Sequence, residues 1–121
     1  MAKIIIIGAH PKGYSYPFHL DTRSGKVLRR ILHANEIDAI LLNLWNDQEE
    51  MDAGIISRKK LSEISAYSND GCKIAVVGRY MYSKLRKQIE PDTALHYLPH
   101  PSSRSKKYIE MLEWGLVKLS K

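Results

Sequence analysis

The chain has a single cysteine, Cys72, in 121 residues. That excludes an intramolecular disulfide and any all-cysteine metal cluster, and it fits a reducing compartment, with Cys72 read as a small buried residue. No apolar run approaches the roughly 20 residues of a membrane span, and Ile4 to Ile7 after Met1-Ala2-Lys3 is too short for a signal-peptide core. A soluble protein of the cytoplasm or nucleoid is expected. Metal chemistry finds no support either: the five histidines do not stand at ligand spacing with cysteines or carboxylates. The acidic run Asp47, Glu49, Glu50, Asp52 reads as a loop rather than a cation site. Internal repeats, low-complexity tracts and a phosphate-cradling Gly-x-x-x-x-Gly-Lys pattern are absent from the sequence.

Acidic residues are outnumbered, 13 against 19 Lys and Arg, which leaves a net charge of +6. The excess favours an anionic partner such as nucleic acid, although most of the basic residues read as solvated helix faces. With 44% apolar residues, one domain spanning 1–121 has enough for a single core.

Short apolar runs alternate with helical patterns. Lys3 to Gly8 is a continuous β-branched run, as a strand covered on both faces requires. Gly25 to Ala34 reads as a helix with Val27, Leu28, Ile31 and Leu32 on one face, Ile37 to Asn43 as the second strand, and Ser57 to Tyr67 as the second helix. Lys73 to Gly78 gives strand three, Tyr80 to Ile89 a helix, Ala94 to Leu98 strand four, and Lys106 to Leu119 a helix with Ile109, Leu112, Leu116 and Leu119 inward. This order predicts an α/β fold: a single-domain three-layer α/β/α sandwich around a short, mainly four-stranded parallel sheet.

In open parallel sheets ligands bind outside the carboxyl ends of the strands. Strand one ends in Gly8-Ala9-His10-Pro11-Lys12-Gly13, strand two in Leu42-Asn43, and strand four in Pro99-His100-Pro101-Ser102. Histidines, an asparagine and Phe18, from distant parts of the chain, are therefore expected along one edge.

At these positions GAHPKG resembles the Gly-x-x-Pro first motif of the uracil-DNA glycosylase superfamily, and YPFHLDTRSGKVLRRIL resembles the segment that follows in its mismatch-specific and single-strand-selective branches. ILLN is similar to the strand whose asparagine reads uracil, KIAVVGRYMYSKL to the third strand and helix, and HPSSR to the His-Pro-Ser-Pro second motif. Two positions depart from the pattern. His10 stands where the family usually has Asp or Asn, and Ser103 replaces the second proline. The chain is also shorter than most members, which implies reduced DNA-contacting loops and leaves room for a protein partner supplying further DNA contacts.

The resemblance implies a monofunctional DNA glycosylase that flips out uracil or a modified pyrimidine and hydrolyses its N-glycosidic bond, with no cofactor. It assigns catalysis to His10, holding the attacking water, and to His100, donating to the base O2. Base binding falls to Gly8, Ala9, Phe18 as stacking face and Asn43. DNA contacts fall to Lys12, Ser24, Ser102, Ser103 and Arg104. Physical chemistry agrees with these assignments. A base inside a duplex must be flipped to be reached, the Asn43 amide complements uracil N3–H and O4, and a preorganised donor at the oxygen gaining charge is usually the largest electrostatic contribution. A glycosylase-fold protein that binds DNA or a base without cutting, and an N-glycosidase of free nucleosides or nucleotides, are the alternatives.

Overall fold

The computed structural model describes residues 4–9, 17–19 and 21–121; His10 and Lys12 lie outside them. Four parallel strands, β1 (Ile4–Gly8), β2 (Ala39–Asn43), β3 (Lys73–Val77) and β4 (Leu95–Leu98), form a sheet of order β2-β1-β3-β4. The connecting helices are α1 (Arg23–Ala34), α2 (Gln48–Ala53), α3 (Arg58–Asn69), α4 (Arg79–Gln88) and α5 (Lys106–Leu119).

β1 lies between two strands and is covered on both faces, so every one of Ile4 to Ile7 is fully buried. Side chains alternate across a strand. Ile4 and Ile6 accordingly join Leu28, Ile31 and Leu32 of α1 and Leu112 and Leu116 of α5 on one face. Ile5 and Ile7 join Ile64 of α3 and Met81 and Leu85 of α4 on the other. Burying each isoleucine is worth about 1.5–3 kcal/mol, so this four-residue run anchors both layers. The three-layer α/β/α sandwich expected from the alternation is the observed fold.

Several local readings change, β2 starting at Ala39 and α3 running on to Asn69 among them. The acidic run is a short helix, α2, rather than a loop. The Asp47 carboxylate accepts from the Glu50 N–H at its start, and Gly54, at φ 72°, ends it in the left-handed conformation that glycine adopts at little cost. Helix α1 begins two residues earlier than the apolar periodicity indicates, because Thr22 caps it by accepting from Gly25 N–H. Cys72 is partly rather than fully buried, packed against the edge of the second core.

Strand order reverses between β1 and β3, since β1 leads outward to β2 and β3 leads outward to β4. Such a switch point opens a crevice at the carboxyl ends of the two central strands. Here those ends are Gly8 and Gly78.

Candidate functional site

Asn43 ends β2 directly beside Gly8, its register partner on β1. The pairing continues past the strands, with Leu44 N–H donating to Gly8 O at 3.0 Å and Trp45 N–H to Ala9 O at 2.9 Å. The main chain of Gly8 and Ala9 is thus fixed by β2. Alternation places Asn43, half-buried, on the same side of the sheet as Ala39 and Leu41, the side that also receives Phe18.

Phe18 packs over Gly8. A Cβ at position 8 would lie 2.5 Å from Phe18 Cζ, so glycine is what admits the ring. The ring is 8% exposed and belongs to the core cluster with Ile4 and Ile6. Residue 18 has φ 52°, an unfavourable conformation for a side-chain-bearing residue. Arg29 holds it there: its Nε donates to Phe18 O at 2.7 Å and its Nη2 to Pro17 O at 2.8 Å. Ser24 lies in the first turn of α1, 7% exposed, its hydroxyl 3.5 Å from that of Thr22.

Across the crevice, Pro99 and His100 follow β4 into a turn closed by Ser103 N–H donating to His100 O at 3.1 Å. His100 Nδ1 receives Ser102 N–H at 3.1 Å and lies 2.7 Å from Ser102 Oγ. A main-chain N–H can only donate, so neutral His100 has Nδ1 as its acceptor and carries its proton on Nε2. The ring lies beside Gly78, where a Cβ would come within 3.3 Å of His100 Cδ2. Gly78 at φ 102° therefore both turns the chain from β3 into α4 and leaves room for the imidazole.

The HPSSR turn is clamped from α1. Arg23 Nε and Nη2 donate to Ser102 O and Ser103 O, each at 3.2 Å. Ser103 Oγ accepts from Ser105 N–H, and Ser105 caps α5 by accepting from Tyr108 N–H. Pro101 is buried, while Ser102 and Arg104 are exposed. Arg23 and Arg29, read from the sequence as members of a solvated basic set, instead join the two motif segments to α1. Nothing in their spacing marks them, because each meets main-chain carbonyls outside its own helix, 11 and 12 positions away for Arg29 and 79 and 80 for Arg23.

The fold thus brings Gly8, Ala9, Phe18 and Asn43 to one side of the crevice and His100, Ser102 and Ser103 to the other. Two strand spacings of about 4.8 Å separate the Asn43 end of β2 from β3, against whose end His100 leans. Among the described residues no group of three or more His, Cys, Asp or Glu is arranged to hold a metal ion, and no helix is long and apolar enough to cross a membrane.

No family model, curated protein or solved structure matches the chain. The reading of the site therefore rests on this geometry and on the motif resemblance.

Proposed function

We propose that the chain is a monofunctional DNA glycosylase that excises uracil or a modified pyrimidine. The observation carrying this reading is the placement of His100: Ser102 N–H donates to its Nδ1, which puts the ring proton on Nε2, and the imidazole stands at the same carboxyl edge of the sheet as Asn43, two strands away. A pyrimidine between them offers O2 to His100 and its N3–H and O4 to Asn43. As the C1′–N1 bond breaks, its electron pair passes to the base and charge gathers at O2, where Nε2–H stabilises it. Water adds its oxygen to the cationic C1′ and gives up a proton, leaving an abasic sugar and the free base. A fixed donor of this kind is worth about 10²–10³ in rate. Cytosine presents the reverse donor and acceptor pattern to Asn43, at about 1–3 kcal/mol per buried group left unsatisfied. The assignment of the water to His10 comes from the motif resemblance alone.

One observation favours a second reading, a protein of this fold that binds DNA or a base without cutting. Phe18, expected from the sequence as the stacking face, is instead 8% exposed and packed in the core with Ile4 and Ile6, so it offers no open ring on which a flipped base would be held for cleavage. Incubation with oligonucleotides carrying uracil, hydroxymethyluracil, thymine or hypoxanthine, followed by alkaline cleavage at abasic sites, separates the two. Excision supports the glycosylase; tight binding with no cleavage on any base supports the binding protein.

A further inference from the structure

We propose that the groove between the edge strand β4 and helix α5 is a track for single-stranded nucleic acid leading to the candidate base site; the proposal rests on the nucleic-acid reading of that site. Two cavities meet at Tyr97 on β4. One, of about 470 Å³, is lined by Gly78, Tyr97, His100, Ser103, Tyr108 and Met111. The other, of about 570 Å³, continues along α5 past Tyr97 to Trp114, with Lys73, Lys118 and Lys121 at its rim. Arg79 lines the first cavity, and neither contains an Asp or Glu.

The apolar surface here is unusual in amount and kind. Trp114 is 67% exposed, and Tyr108 and Met111 are each nearly half exposed on the same helix. In water such aromatic faces gain nothing from being open, whereas a stack of bases covers them. The Lys118 ammonium lies over one face of the Trp114 ring, 4.9 Å from its centre, which sets a cation for the phosphate on that face and leaves stacking of a base to the opposite one. Tyr97 is held edge-on by Tyr82, with ring centres 5.9 Å apart. From Tyr108 to Lys118 the helix rises about 15 Å at 1.5 Å per residue, room for about four nucleotides at about 3.4 Å each.

The charge selects the occupant. A second copy of the chain docked here would bring Lys73, Lys118 and Lys121 against their own kind, while a phosphate backbone complements them. Ordinary single-strand surfaces combine such a cationic groove with stacking aromatics, without base-specific contacts.

Trp114 reports directly on occupancy, because the other tryptophan, Trp45, is 2% exposed. The probe is an oligothymidylate of about 15 nucleotides, titrated at several salt concentrations. It should quench Trp114 emission, and Trp114→Phe should lose the quench. Trp114→Ala should weaken binding about 5- to 150-fold, and Lys118→Gln should reduce the slope of log affinity on log salt by about 0.7. Both positions are exposed, so circular dichroism should match the parent. Binding indifferent to Trp114→Ala and Lys118→Gln overturns the track, as does failure to bind at low salt. Equal quenching by polyglutamate of matched charge assigns the face to an acidic protein and also overturns it. Excision of uracil by a parent whose Trp114 stays unquenched removes the track and leaves the base site standing; quenching without excision does the reverse.

Discussion

Gly25→Ala is a small change with a large expected consequence. Gly25 lies under the 17–19 segment so closely that a Cβ there would be 2.5 Å from Phe18 O and 2.6 Å from the His19 carbonyl carbon, and would come closer still to His19 O. All three are main-chain atoms, so no rotamer change relieves the contact. Ordinary carbon contacts lie at about 3.5–4.0 Å, so the segment has to retreat by about 1 Å. That retreat stretches the Arg29 bonds to Pro17 and Phe18, at 2.8 and 2.7 Å, and the two bonds from Thr22 to His19 O, at 3.0 and 2.7 Å. Each is worth about 1 kcal/mol, more for the guanidinium pair. Against this stands a gain of about 1 kcal/mol for alanine over glycine in a helix. The net loss should be about 2–4 kcal/mol, with most of the four bonds weakened. At about 4 °C per kcal/mol for a domain of this size, the melting temperature should fall by roughly 8–16 °C in a calorimetric or circular-dichroism scan. A variant that melts at or above the parent temperature would show that helix propensity decides at position 25 and that the 17–19 segment is not packed on α1 as described.

Other substitutions address single contacts. Arg23→Met removes both donors to the HPSSR turn; stability should change by about 1 kcal/mol or less, since the pair is exposed, while single-turnover excision of uracil falls about tenfold through loss of His100 positioning, with Arg23→Lys recovering part of the rate. Asn43→Asp should erode discrimination between uracil and cytosine, because a carboxyl can accept from the cytosine N4 amine; paired assays on the two bases check this, and an unchanged preference removes Asn43 from the pocket. Asp47→Ala should cost about 1 kcal/mol in urea denaturation by uncapping α2, with excision unaffected.

The strand skeleton was legible because buried parallel strands leave an unmistakable trace, as in Ile4 to Ile7 and Ile74 to Val77, where burial on both faces removes polar alternation. Helix α5 is legible to its observed ends, since Ile109, Leu112, Leu116 and Leu119 recur at helical spacing and pack into the core. Helix α2 left no such trace: it buries no residue and is held by its ends. Its signal was local, an Asp three positions before a Glu and a glycine after the last turn, with the Glu50 carboxylate accepting from Asn46 N–H. At the site, the rule that ligands bind at the carboxyl ends of parallel strands is enough to bring Gly8, Asn43 and His100 to one edge. What the sequence left unread was the fastening. Arg23 meets carbonyls 79 and 80 positions away, and a guanidinium reaching main chain at that separation produces no periodicity. The role of Ser102 was hidden for a related reason: its main-chain N–H selects the His100 tautomer, and every residue but proline carries that group.

Single-turnover excision from a uracil-containing oligonucleotide, compared between the parent and His100→Ala, tests the proposed chemistry most directly. The parent should release uracil and leave an alkali-labile abasic site, and His100→Ala should slow that step by about 10²–10³ while oligonucleotide affinity changes little. His100→Gln, which retains an N–H donor, should recover part of the rate. No release by the parent, or release by His100→Ala at the parental rate, would contradict the proposal that the fixed Nε2–H of His100 stabilises the departing base.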